Sequence, residues 1–225
     1  MTHPHFATVQ RSKGPAWLWP LIIACLVIVF LIWLFLTYVP VLIVETKYQS
    51  RQLLSQVFNV TDIREIFIPN FEALGFRGAS KYKDYGIVIP AIYLDEPVVF
   101  NVDPNDQTAY TAALKQGIAH ASGTAFPDNP GIGYYFAHSS NPEFRHQYNA
   151  VFYLLGKLKP QDEIFIWHEN EYVRYVVSTT KITEPEDVSF LNQPADAETI
   201  VLQTCWPPGT TQKRLLVFAQ RERGE

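Results

Sequence analysis

Of the two cysteines in this chain, Cys205 is the one whose surroundings suggest chemistry. It ends the β-rich run TIVLQTC, whereas Cys25 lies inside a long apolar run near the N-terminus. The apolar run is long enough to span a membrane, as argued below, and Cys205 belongs to the folded part outside it. A side chain within the membrane cannot come within disulfide distance of one in such an external domain. Cys205 is therefore an unpaired thiol, which in an extracytoplasmic setting is a liability unless it has a task. The alternative is an inert cysteine packed as a small hydrophobic residue.

A nucleophilic cysteine needs a proton acceptor. Four histidines follow the apolar run, at positions 120, 138, 146 and 168. His138 comes directly after GYYFA, so its ring is expected at the end of a strand. Chemistry alone does not choose among the four, since a single histidine is more often a surface or core residue than a base.

The attacked carbonyl also needs a group that stabilises its negative charge, and Arg214 is a candidate. It lies nine positions after Cys205, just past the loop WPPGTTQK. Two strands joined by a loop of this size are expected to be neighbours, with Arg214 opening the second. A guanidinium stays charged and donates several hydrogen bonds in fixed directions. The alternative is a solvated arginine at a strand start.

The elements that would position these residues are short β-rich runs. From about residue 86 the chain contains GIVIPAIYL, PVVFNV, IGYYFAH, EIFIWH, YVRYVVSTTKI, TIVLQTC and RLLVFAQ. Two helical pieces interrupt them, around 110–115 and around 148–155. This pattern predicts a mainly β fold, a closed or nearly closed β-barrel of seven to eight strands with about two short helices.

Residues 16–44 predict a transmembrane helix that precedes this barrel. The run has no acidic or basic side chain, and it exceeds the roughly 20 apolar residues that a bilayer core requires. Trp17, Trp19 and Tyr38 stand at its ends, where interfacial aromatics are expected. A cleaved signal peptide is the alternative, but the apolar core is too long and no small-x-small cleavage site follows.

The resulting organisation is a cytoplasmic tail over 1–15, the span over 16–44, a stalk over 45–85 and one domain over 86–225. Residues 46–57 are expected to continue as a helix. Lys and Arg numbers are close on the two sides of the span, and a short tail with a long folded C-terminal part favours a cytoplasmic N-terminus and an extracytoplasmic domain. With a net charge of −4 and 18% charged residues, the composition excludes a disordered chain and gives no case for a nucleic-acid partner.

The stretch TIVLQTCWPPGTTQKRLLVFA resembles the signature of the sortase family, in which a strand ends in Thr-Cys and a Pro-containing loop leads to an Arg. Thr204, Cys205, Pro207 and Arg214 match it. Upstream, GIAHASGTAFPDNPGIGYYFAHSS resembles the family's segment that ends in the active-site histidine, which assigns that role to His138. A third stretch, VFYLLGKLKPQDEIFI, resembles a helix-loop-strand segment of the family. The three stretches fall between residues 86 and 220.

Some positions depart from the usual pattern. Ala137 precedes the histidine where Gly is frequent, Gln161 replaces the Gly of a Gly-Asp pair, and Trp206 follows the cysteine. No reacting group is lost. The short loop between Cys205 and Arg214 resembles the compact class C, D and E patterns and leaves the class open.

The resemblance implies a membrane-anchored cysteine transpeptidase. Cys205 would be the nucleophile, His138 the acid and base, and Arg214 the oxyanion partner, with Thr204 in substrate binding. The implied partners are secreted proteins with a Leu-Pro-x-Thr-Gly-like (LPXTG-like) sorting signal and an amine acceptor from a peptidoglycan precursor or a pilin lysine. No metal or organic cofactor is required.

Two alternatives compete with this interpretation. An L,D-transpeptidase-like enzyme is expected to show a Ser-x-Gly-Cys type motif, which QTCWPP lacks. A non-catalytic, membrane-tethered β-barrel that binds envelope components predicts an inert, buried Cys205.

Overall fold

The structure, a computed structural model, describes residues 18–57, 78–139, 151–192 and 198–222. The chain divides into two compact units, Met1–Val44 and Glu45–Glu225. His146, one of the four histidines considered above, lies outside the described residues.

A single helix, α1, runs over Leu18–Val57 and contains most of the predicted span. It also includes the predicted helical continuation over 46–57. Its large apolar side chains are exposed, among them Trp19, Leu26 and Phe35. Within the part of the chain that the structure describes, none of the helices combines the length and apolar character needed to cross a bilayer.

The second unit contains a closed barrel, as predicted. Its strands are β1 (Tyr85–Ile89), β2 (Leu94–Val102), β3 (Ile118–Ala121), β4 (Ile132–Phe136), β5 (Glu163–His168), β6 (Glu171–Thr183), β7 (Thr199–Trp206) and β8 (Lys213–Arg221). They close in the order β1-β2-β3-β4-β7-β8-β6-β5. Neighbours are antiparallel except for β2 with β3 and β4 with β7, which are parallel.

The run GIVIPAIYL is not one strand. It breaks at Pro90 into β1 and a short 3-10 helix, η1 (Pro90–Ile92), and the chain re-enters the sheet in β2. Proline has no N–H to give a ladder, and Tyr93 then turns the chain with a left-handed φ of 56°. The turn lets β1 and β2 pair with each other, with Ile89 opposite Leu94.

The sequence patterns missed β3, the run IAHA. Alanine and histidine have little preference for strands, and all four residues are buried, so no alternation marks the segment. The helix expected around 110–115 is α2 (Gln107–Leu114), which begins after Asp106. The Asp106 carboxylate accepts hydrogen bonds from the N–H groups of Thr108 and Ala109. The piece expected around 148–155 is in its described part a 3-10 helix, η2 (Tyr153–Lys157).

The barrel interior is filled by alternate residues of the strands, including Ile87, Ile166 and Leu202, each 0% exposed. On the outside, a third 3-10 helix, η3 (Ser189–Asn192), covers apolar side chains of β4, β7 and β8. Residues 78–84 of the predicted stalk lie against the barrel, since the Trp167 indole N–H donates to the Gly78 carbonyl at 2.6 Å.

Candidate active site

The pairing of β4 with β7 determines where His138 lies. The two strands are parallel, with Phe136 opposite Gln203, and the Ala137 N–H still donates to the Gln203 carbonyl at 3.2 Å just beyond the end of β4. Continuing this register by two residues on each strand brings His138 opposite Cys205. Side chains alternate between the two faces of a strand. His138 and Cys205 each come two residues after Phe136 and Gln203, so they share the outer face of the barrel with these two residues.

The pairing of β7 with β8 determines where Arg214 lies. These strands are antiparallel, and Cys205 is directly opposite Arg214. Directly opposed residues have neighbouring side chains on one face of a sheet. The predicted neighbourhood of cysteine and arginine is therefore present, with the loop between them closing the two strands as expected.

Three predicted residues thus meet at one rim of the barrel: Cys205 on β7, Arg214 on β8, and His138 two residues past the end of β4. We call Cys205, His138 and Arg214 the rim triad. All three are half-buried. This exposure permits a thiol to meet a substrate, and it differs from the full burial that an inert packing role predicts.

The guanidinium of Arg214 has local partners. It donates to the backbone carbonyls of Thr211 at 3.1 Å and Lys213 at 3.2 Å, both at the end of the loop from β7. These bonds hold the side chain near the loop while using only part of its five N–H donors. A guanidinium has further N–H donors, and Arg214 lies directly opposite Cys205 on the neighbouring strand.

His138 lies in a partly desolvated position. Burial lowers the pKa of His138 below its ordinary value, because the charged imidazolium is poorly solvated there. The neutral ring, which accepts a proton, is therefore the favoured form near neutral pH. Its backbone carbonyl accepts a hydrogen bond from the Phe152 N–H at 3.0 Å.

Thr204 has a different position from the one expected of a substrate-binding residue. Its side chain is 2% exposed, and its hydroxyl donates to the Ala137 carbonyl at 2.9 Å. This bond ties the end of β4 to β7 one residue before Cys205 and one before His138. The placement favours a positioning role, and substrate binding by Thr204 stays a prediction.

Sequence reasoning missed Tyr134, which lies on β4 beside the triad. Burial raises the pKa of the Tyr134 hydroxyl, against the lowering effect of the Arg214 charge and with a further contribution from Cys205. The hydroxyl therefore remains protonated and able to donate. The signal was the alternation of Tyr134, Phe136 and His138 along one strand face, but without the strand pairing it points to no partner.

The other described histidines lie away from the triad. His120 is 1% exposed, with Nε2 at 3.2 Å from the Ala125 carbonyl and 3.1 Å from the Thr124 hydroxyl. His168 ends β5 opposite Tyr85. No group of three or more His, Cys, Asp or Glu side chains within the described ranges is placed to hold a metal ion.

The barrel is similar in sequence and fold to known proteins. A family model described as the Sortase domain matches residues 87–222, more than half of the chain. The chain therefore belongs to the sortase family, as its motifs indicated.

Individual relatives are distant. Sortase D of Bacillus subtilis (strain 168) is 25% identical over 136 residues, which cover 59% of this chain and 61% of that relative. Sortase C-1 from Actinomyces oris has a TM-score of 0.54 at 25% identity, covering 62% of this chain and 72% of the other. Sortase C-1 from Streptococcus pneumoniae has a TM-score of 0.53 at 28% identity, covering 63% and 67%.

Proposed function

We propose that this protein is a membrane-anchored cysteine transpeptidase that cuts an LPXTG-like sorting signal between Thr and Gly and joins the new end to an amine. The observation that supports it best is the pairing of β4, β7 and β8, which places Cys205 opposite Arg214 and brings His138, two residues past β4, to the same rim. Membership of the sortase family supports the same chemistry.

In the first half-reaction, neutral His138 takes the proton of the Cys205 thiol, and the resulting thiolate attacks the carbonyl carbon of the signal's Thr. A carbon–sulfur bond forms, and the carbonyl electrons move to an oxyanion beside the Arg214 guanidinium. When the intermediate collapses, the Thr–Gly carbon–nitrogen bond breaks. His138, as imidazolium, gives its proton to the leaving amine and becomes neutral.

The second half-reaction runs the same steps in reverse with a different amine. The acceptor nitrogen attacks the thioester, neutral His138 takes its proton, and the carbon–sulfur bond breaks to regenerate the Cys205 thiolate.

The acceptor is an amine of a peptidoglycan precursor or of a pilin lysine. Among solved structures similar to this chain is a pilus-related sortase C of Group B Streptococcus, with 27% identity and a TM-score of 0.53. That likeness supports including a lysine amine among the acceptors to be tried.

For the location, we propose a single-pass membrane protein with a cytoplasmic N-terminus and the barrel outside the cell. The support is the run over 16–44, which has no acidic or basic side chain, and the exposed apolar side chains of α1. Extraction of the full chain from cells tests it: alkaline carbonate is expected to leave the chain in the membrane pellet, and release into the supernatant would contradict the anchor.

The activity is tested on the full chain with fluorogenic LPXTG-like peptides, with and without a Gly-based or lysine-based amine. We expect cleavage, and an amide product only when the amine is present. Cys205→Ala should lose both. Cys25→Ala is the matched control, because it removes the other thiol of the chain and should leave both intact.

Two results would contradict the proposal. Amide formation by Cys205→Ala would exclude the thioester. A native Cys205 that neither cleaves any peptide nor reacts with an alkylating reagent would instead favour the non-catalytic binding module.

A further inference from the structure

The short helix η2 packs against the residue that follows Cys205. A Cβ atom built on Gly156 would lie 2.7 Å from Cζ3 and 3.0 Å from Cη2 of the Trp206 indole, and 3.6 Å from Cδ2 of Leu215. The outer edge of the indole therefore lies directly on the Gly156 backbone. Trp206 and Leu215 are the chain neighbours of Cys205 and Arg214.

The start of the same helix contacts the strand end that carries His138. Phe152, the residue before η2, donates its N–H to the His138 carbonyl at 3.0 Å. Phe152 and Leu155 are both 0% exposed, so the helix is fixed in the barrel core. The helix η2 together with the preceding residue Phe152 thus touches a neighbour or the backbone of every member of the rim triad.

Glycine at 156 is required by space and not by backbone conformation. Unlike Gly209, whose φ is +86°, Gly156 has no positive φ. An alanine there is compatible with the backbone, and the atoms it would meet belong to two side chains. Since a contact under 3.0 Å forces something to shift, either the outer edge of the indole or the backbone of η2 must move, and Trp206 directly follows Cys205 in the chain.

We propose that Gly156 and Trp206 form a positioning contact that sets the Cys205 thiol against His138. The inference rests on the proposed function, because it assigns these two residues to the same reaction. Gly156 and Trp206 act through their neighbours and touch no reacting atom. Displacing reacting groups by about 1 Å can cost on the order of 100-fold in rate, which is the effect expected of a larger residue at 156.

The test uses the full chain with Cys25→Ala, so that Cys205 is the single thiol. Two quantities are measured: transpeptidation kcat and KM, and the rate of iodoacetamide alkylation of Cys205 as a function of pH. Gly156→Ala is expected to lower kcat about 100-fold with KM within about threefold, and to shift the alkylation pH profile. A merely structural glycine would lower the thermal midpoint without moving that profile.

The second variant relieves the contact. Phenylalanine lacks the outer indole atoms that the new Cβ would meet, so Trp206→Phe in the Gly156→Ala background should restore kcat to within about tenfold of the parent. Trp167→Phe is the matched control, because it makes the same change at a buried tryptophan on β5. It should rescue nothing.

The inference is overturned by a native kcat and native alkylation profile in Gly156→Ala, or by a double variant as impaired as the single one. If Gly156→Ala does not fold, Trp206→Ala is the deciding variant, because this substitution removes the contact without a clash. A native alkylation profile in Trp206→Ala would also overturn the inference. The alkylation profile needs no substrate. If the protein proved inactive on every peptide, the alkylation profile would therefore still decide this contact, and the proposed function would be refuted only if Cys205 also failed to react.

Discussion

Two histidines in this barrel have the same direction of pKa shift and very different surroundings. Burial lowers the pKa of both His120 and His138. His120 stands in a ring cluster of Tyr85, Phe100, Phe126 and Tyr135, where its ring stacks on Tyr135 at 5.0 Å between centroids. His138 stands half-buried at a strand end, in register with a cysteine that faces an arginine.

The difference teaches that a lowered histidine pKa does not identify a reacting histidine. At His120 the shift accompanies nearly complete enclosure and local hydrogen bonds, which keep the ring away from any substrate. At His138 the same cause acts at a rim, where the ring can exchange a proton with a bound molecule. Access and partners decide the role, and both come from strand pairing.

The largest expected effect separates the two histidines directly. His138→Gln should lower kcat/KM by on the order of 10³-fold, because the acid and base of both half-reactions is lost. His120→Gln should stay within about fivefold of the parent, since a glutamine amide can still donate to the Ala125 carbonyl. Peptide cleavage by both variants measures the two values of kcat/KM. Equal losses would mean that the two histidines do not differ in their role in the reaction.

The second effect compares the two arginines of β8. Arg214→Lys should lower kcat about 100-fold, because an ammonium does not reproduce the guanidinium's directed donors at the oxyanion. Arg221→Lys should leave kcat within about twofold. Arg221 lies at the other end of the strand, far from the triad, and lysine keeps its positive charge. A native kcat in Arg214→Lys would argue against an oxyanion role.

The third effect concerns stability, where we expect the loss of Arg221 to cost more than the loss of Arg214. Arg221 donates to both carboxylate oxygens of Glu198, at 2.8 and 2.7 Å, and to Asp128. Because Glu198 is only 7% exposed, Arg221→Ala should lower the free energy of unfolding by about 2–3 kcal/mol. Arg214→Ala should cost under about 1 kcal/mol, since its partners are solvated loop carbonyls. Urea unfolding of the two variants checks the order.

The smallest effect concerns pH. A folded pKa below the ordinary value of 6.5 means that unfolded His120 binds more protons as the pH falls below 6.5. The contribution of neutral His120 to the free energy of unfolding is complete above pH 6.5. As the pH falls towards the lowered pKa of the folded protein, this contribution is lost with a slope of at most about 1.4 kcal/mol per pH unit. His120→Gln should flatten the rise of unfolding free energy between about pH 5 and 7; an unchanged slope would contradict the assignment.

The sequence alone determined the class of fold and the family. Runs rich in Val, Ile, Tyr and Phe predicted a barrel of seven to eight strands, and the motifs around Cys205, His138 and Arg214 identified the sortase family. Both signals are local, because strand preference and a Thr-Cys-Pro motif each lie within a few residues. Residue chemistry by itself left four histidines open, and the resemblance, not the spacing, selected His138.

The tertiary structure alone decided what depends on neighbours distant in sequence. The run GIVIPAIYL ends its first strand before Pro90, and Ile118–Ala121 forms an additional strand. Thr204 is buried, and Trp206 packs against Gly156. Apart from Pro90, whose missing N–H is visible in the sequence, none of these has a local signature. A buried four-residue strand shows no alternation, and a glycine needed for another residue's side chain looks like any other glycine. Such features are set by the packing of the closed barrel, which brings residues tens of positions apart into contact.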